Sequence, residues 1–165
     1  MSGRLVVGVD GSETATAAVR WGAREAKLRD AKLELVSIWE IPISDVGFGS
    51  GLGGISEETL KRLEQNAEEI LRRAAEVARE GLPEVKIETR TVEGQPADVL
   101  VGAARDADLL VVGSRGVGGF RELLLGSVSQ QCAQHATCPV VIVRHLDRVV
   151  WPPSRVWPHS VNESW

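Results

Sequence analysis

Residues 109–131 read LLVVGSRGVGGFRELLLGSVSQQ. The four aliphatic residues Leu109 to Val112 show no alternation and stop at a glycine. That pattern suits a short strand buried on both faces, as in a parallel sheet. The nineteen positions from Gly113 onward hold five glycines: Gly113, Gly116, Gly118, Gly119 and Gly126. Glycine placed after a buried strand weakens a fold unless something needs the backbone to come close. Gly126 and Ser127 then open a helix reaching about Ala136. Pro139 follows, and Val140-Val141-Ile142-Val143 reads as a closing strand.

The same unit recurs upstream. Leu5-Val6-Val7-Gly8-Val9 is a second non-alternating run, ending at Asp10-Gly11-Ser12. Ser12 is a good N-cap, and Glu13 beside it suits the positive end of a helix. Ala15, Ala18, Val19, Gly22, Ala23 and Ala26 recur at helical spacing and predict a helix lying close on its sheet. Lys32 to Trp39 reads as a strand, and residues 40–55 as a breaker-rich loop with Pro42 and five glycines. Ser56 caps a long helix with Leu60, Leu63, Ala67, Ile70, Leu71, Ala74 and Val77 on its apolar face. Gly81 and Pro83 end it. Val85 to Val92 alternates, as expected of a strand nearer a sheet edge, and Pro96 starts a further helix. The order β-α-β-α-β-α-β-α-β predicts an α/β domain: a single five-stranded parallel sheet, doubly wound and Rossmann-like, with helices on both faces. Ligands of such sheets sit beyond the carboxyl ends of the strands, at the switch point. The turns after Val9 and after Val112 are the two that fit.

Bulk properties bound the function. The chain has 165 residues, with 43% hydrophobic and 25% charged residues and a net charge of −4. That balance, without a lysine or arginine cluster, argues against nucleic acid as a partner. No apolar run is long enough to cross a bilayer. A strand-like run begins within three residues of Met1, so no signal peptide is expected, and the expected location is the cytoplasm. Cys132 and Cys138 lack metal-type spacing and read as small core residues. No metal site is expected from side chains. His135 falls at the end of the last helix, a position suited to structure or the helix dipole.

Two standard phosphate loops fail on the glycine stretch. Gly113 and Gly118 have Walker spacing, but Gly119 stands where lysine belongs. Gly116 and Gly118 begin a dinucleotide fingerprint that Arg121 then breaks. An anion remains the indicated ligand. Exposed backbone amides, the helix start at Ser127 and the cations Arg115 and Arg121 all favour one. The structural alternative is a flexible turn with a helix cap.

At these residues the sequence resembles the universal stress proteins, in their ATP-binding subgroup. Gly113-Ser114-Arg115-Gly116, nine residues, then Gly126-Ser127-Val128 reproduce the family's G-x-x-G-(nine)-G-Ser/Thr pattern. Val6 to Ser12 and Cys138 to Val143 match its first strand and turn and its last strand. The resemblance implies a nucleotide-binding domain at 1–144 of adenine nucleotide alpha-hydrolase type, with the tail 145–165 outside it. That tail is rich in Trp and Pro, and either disorder or docking of its tryptophans is open. The resemblance also implies ATP as ligand, with Mg²⁺ on its phosphates. Asp10 would contact the ribose or phosphate end, and Ile38 would offer backbone groups to adenine. Gly113, Ser114, Arg115, Gly116, Gly118, Gly119, Gly126, Ser127 and Val128 would wrap the phosphates, and Gly8 would keep the floor open. A homodimer paired through Val140–Val143 is implied as well; the downstream partner is left unnamed. No catalytic residue is assigned, since the glycine stretch carries no lysine and Asp10 has no partner base. A nucleotide-dependent stress regulator or sensor is the expectation. The alternatives are a slow ATP hydrolase or phosphoryl transferase, a module for cyclic AMP or another adenine nucleotide, and an interaction module of the same fold that binds no ATP. A Ser-His-Asp triad lacks its G-x-S-x-G elbow. A phospho-receiver domain lacks its acidic cluster and its Asp after the third strand.

Overall fold

The computed structural model describes residues 3–41, 56–117 and 125–144. Along them run β1 (Arg4–Val9), α1 (Glu13–Leu28), β2 (Lys32–Trp39), α2 (Glu57–Arg79), β3 (Ile87–Glu93), α3 (Pro96–Ala103), β4 (Leu109–Gly113), α4 (Ser127–His135) and β5 (Val140–Val143). All neighbouring strands are parallel, in the order β3-β2-β1-β4-β5. The doubly wound α/β sheet expected from the strand–helix alternation is the fold observed. Gly118, Gly119 and Arg121, residues 42–55 of the predicted loop, and the tail lie outside the described residues.

The missing alternation in β1 and β4 has a direct cause. Leu5, Val7 and Val9 enter the core under α1 and α2, while Val6 enters the core under α3 and α4. Leu109 and Val111 divide from Leu110 and Val112 in the same way. Both faces of these strands are dry past Arg4, so the positions from Leu5 to Val9 and from Leu109 to Val112 carry no polar side chain. The small residues of α1 bring it close to the sheet. A Cβ on Gly22 would lie 2.8 Å from Val7 Cγ2. The caps form as the sequence predicts: Ser12 Oγ accepts from the Ala15 amide at 3.2 Å, and Ser56 Oγ from the Thr59 amide at 3.2 Å.

Helix α2 departs slightly from its predicted face. Its buried residues are Ala67, Leu71, Ala74, Ala75 and Ala78, while Leu60, Leu63, Ile70 and Val77 are half-buried. The stripe against the sheet is the one with small side chains, which lets the helix axis come nearer to β2 and β3. β3 begins at Ile87, two residues later than its pattern indicates. Val85 is buried, but its amide bonds to Leu82 O in a turn rather than to a strand. β3 lies at one sheet edge and β5 at the other. Among the described residues no helix is long and apolar enough to cross a membrane.

Candidate functional site

β1 and β4 are adjacent, and the connections from them leave in opposite directions, β1 towards β2 and β3, β4 towards β5. Their carboxyl ends are therefore the switch point of the sheet. The turn Asp10-Gly11-Ser12 leaves one of them, with Gly11 at φ +81°, a left-handed conformation suited to glycine. The glycine segment leaves the other.

These two turns, about a hundred residues apart, are joined by hydrogen bonds. Asp10 Oδ1 accepts from the Ser12 amide at 3.0 Å, and Oδ2 accepts from the Val117 amide at 3.2 Å. Thr14 Oγ1 donates to Arg115 O at 2.5 Å, and Ser12 Oγ donates to the same carbonyl at 3.4 Å. On the far side, the Gly126 amide donates to Ser114 O at 2.7 Å. Ser129 Oγ donates to Ser114 O at 3.0 Å and to Gly126 O at 2.9 Å. The Ser114 amide donates to Val143 O at 2.8 Å, tying the segment to β5. The start of the glycine segment is thus held between α1 and α4.

Its glycines differ in what they do. A Cβ on Gly113 would stand 2.6 Å from Thr14 Oγ1, 2.8 Å from Thr14 C and 2.9 Å from the Ala15 nitrogen. Backbone meets backbone there, so no side chain fits. Among the described residues a Cβ on Gly116 would meet only Asp10 Oδ2, at 2.8 Å. Gly116 does not have a positive φ, so what it needs is space beside Asp10 rather than a special backbone angle. Gly126 faces Arg115 Cα at 3.4 Å from such a Cβ. Gly8 does not look onto an open floor: Leu100 Cδ1 of α3 would lie 2.8 Å from its Cβ. The space above Gly8 is filled by α3.

α4 starts without a side-chain cap at Gly126. Its first amides, at Ser127 and Val128, have no intrahelical acceptor and carry partial positive charge. Arg115 is half-buried, and its guanidinium has no partner among the described residues. Ser127 and Val128 also face a cleft of about 170 Å³, bounded by Glu40 just past β2 and by Gln95, Pro96 and Asp98 at the start of α3. Ile38 is half-buried near the end of β2 and packs into the core under α3 and α4. The β1–β2 ladder ends at Val9 and Ser37, so Ile38 is the first β2 residue past that pairing.

Thr14 and Ser129 were not singled out by sequence reasoning. Both are buried hydroxyls on helices that hold this segment. Their only signal is a hydroxyl residue on the inward face within the first turn of a helix that follows a turn. Among the described residues no group of three or more His, Cys, Asp or Glu could hold a metal ion. Both cysteines are free. Burial pushes the Cys132 thiol up to about 11; Cys138 is only half-buried, and its thiol is raised first by partial burial. His135 is exposed in the last turn of α4.

A parallel α/β sheet with a glycine-lined switch point belongs to a broad class of ligand-binding folds. Comparison with known proteins narrows it. The model of the Universal stress protein family matches residues 1–144. The chain belongs to the universal stress protein family. It is 35% identical over 147 residues to a universal stress protein of Mycolicibacterium smegmatis, covering 87% of this chain and 49% of that protein. It is 36% identical over 143 residues to one of Thermus aquaticus, covering 85% of this chain and 97% of the relative. This chain thus spans about half the length of the mycobacterial relatives it matches. A universal stress protein whose crystal structure is in complex with cAMP superposes with a TM-score of 0.62 at 30% identity, over 87% of this chain and 97% of the other.

Proposed function

We propose that this chain binds an adenine nucleotide, ATP with Mg²⁺, at the carboxyl ends of β1 and β4, and that binding makes it a nucleotide-dependent regulator or sensor of the stress response. The observation that carries this reading is the pinned glycine segment. Two turns are tied together at the switch point, and beside them remain backbone amides and a guanidinium with no partner among the described residues. Gly113, Ser114, Arg115 and Gly116, with Gly126, Ser127 and Val128, fit a phosphate cradle. Gly118 and Gly119 belong to the same proposal. The cleft by Glu40 and Asp98 is acidic and suits hydroxyl and amino donors, such as a ribose or an adenine edge, better than a phosphate. Ile38 stands at that side, and Gly8 acts through the packing of Leu100 rather than by leaving space. Asp10, bonded to two amides, is a carboxylate at the edge of the cradle. With no three-ligand cluster among the described residues, Mg²⁺ fits as an ion carried on the phosphates.

Cyclic AMP is the second reading, favoured by the cAMP complex of the similar structure. No base or lysine is tied to the cradle by the contacts described, so any ATP turnover is expected to be slow. We further propose a homodimer paired through β5, since among the described residues this short apolar strand has a strand neighbour on one side only. The division at residue 144 and a cytoplasmic location form part of the same proposal.

The test is direct. The protein is purified without added nucleotide and denatured, and released small molecules are identified by mass spectrometry. The emptied protein is then titrated with ATP, ADP and cyclic AMP, each with and without Mg²⁺. Preference for ATP supports the primary reading, and preference for cyclic AMP supports the second. No binding by any of the three refutes both.

A further inference from the structure

The opposite face of the sheet holds a second cleft, of about 180 Å³, between α1 and α2. None of its lining residues belongs to the proposed phosphate cradle, and it meets the switch point only at Val9 and Gly11. Val9, Val19, Ile70 and Val77 make an aliphatic wall, and Thr16, Asn66 and Arg73 bring polar groups. Thr16 Oγ1 is already spent, donating to Ser12 O at 3.0 Å. Asn66 has no side-chain partner among the described residues.

The charges around the cleft leave Arg73 with donors to spare. Glu69, which also lines it, is held by Arg72 through two parallel bonds of 2.8 Å. Arg73 adds only its Nε to Glu69 Oε1, at 2.8 Å. The terminal nitrogens of Arg73 therefore have no partner among the described residues. Arg72 and its other partner Glu76 face a different groove, on the β3 side of α2.

An aliphatic pocket with spare guanidinium and carboxamide donors calls for an amphiphile: an apolar tail and an anionic head with paired acceptors. We propose that this cleft is a binding site for a short aliphatic monocarboxylate. Gly11 lines it too, one residue from Asp10, so occupancy would be felt at the turn that holds the glycine segment. The proposal does not depend on the nucleotide reading.

The test uses the full chain, without nucleotide, labelled with ¹⁵N and titrated with hexanoate. Saturable shifts of the Gly11, Val19 and Ile70 amides are expected, with a dissociation constant on the order of 1 mM. Hexylammonium, with the same tail and the opposite head, should bind about fivefold more weakly, as expected for a largely exposed charge contact. Arg73→Gln, at an exposed position, should erase that preference. Val77→Phe should fill the cleft and abolish the shifts. Added ATP should not displace hexanoate. Absence of saturable shifts at these amides overturns the proposal, as does an unaltered head-group preference in Arg73→Gln.

Discussion

The two ends of the sheet use their polar groups in opposite ways. At the amino ends of the strands the charges satisfy one another. Glu34, a nearly buried carboxylate on β2, accepts from Arg4 of β1 at 2.5 Å and from Arg90 of β3 at 2.9 Å. Arg4 also donates to Ala103 O at 3.0 Å, and its amide to Asp108 Oδ2 at 2.7 Å. Lys32 pairs with Glu88 at 2.7 Å. At the carboxyl ends the side chains of Asp10, Ser12 and Thr14 hold another segment's backbone, while the Arg115 guanidinium and the first amides of α4 have no partner among the described residues. The first end ties the strands to one another and has little left to offer a ligand. The second holds a loop in place and leaves donors without partners among the described residues. Stability and binding should therefore separate by the end of the sheet that is altered.

Gly113→Ala should have the largest effect, because it joins the two properties. Its Cβ would press on the backbone of α1, which cannot yield as a side chain can. A loss of about 2–3 kcal/mol is expected in chemical denaturation, together with loss of nucleotide binding. Glu34→Ala comes next. It removes the shared partner of two arginines, both partly exposed, and should cost about 1–2 kcal/mol. Its nucleotide affinity should equal that of the wild type; a clear drop would mean that the two ends are not independent. Asp10→Ala should show the reverse pattern, with about 1 kcal/mol of stability lost and about a tenfold loss of affinity, read by calorimetric titration.

The smallest effect concerns Glu88. Its carboxyl is held below the usual carboxylate range, first by the hydrogen bond from Lys32. A carboxyl depressed in the folded state contributes stability above its unfolded value and loses it as pH falls through the folded one. Glu88→Gln should thus slightly flatten the acid side of the stability profile and leave neutral pH almost unchanged. A large effect at neutral pH would show that this exposed pair does more than its geometry indicates.

Much of this was legible in the residues. The non-alternating runs in β1 and β4 mark strands buried twice, and Ser12 and Ser56 mark helix starts. The alternation around β3 marks an edge. Each is a local pattern with one physical cause. The candidate site was legible as glycine spacing, but the groups that hold it were not. Thr14 and Arg115 are 101 positions apart, and only the fold brings them together. Glu34 looks like an ordinary polar residue in a strand, because its arginine partners lie on two other strands. Gly8 shows the converse. Its missing side chain reads as open space, yet Leu100, far along the chain, fills it. Local pattern reports burial and chain direction; what occupies a given space is decided by distant packing.

The central claim is that the glycine segment is a nucleotide cradle rather than a flexible turn. The most direct test is calorimetric titration of nucleotide-free wild type and Gly116→Ala with ATP and Mg²⁺, alongside denaturation of both. Among the described residues the added methyl meets only Asp10 Oδ2, at 2.8 Å, the end of a side chain, so the fold should tolerate it. The account predicts saturable binding by the wild type, at least about tenfold weaker binding by the variant, and nearly equal stability. Equal affinity in the two proteins would contradict it.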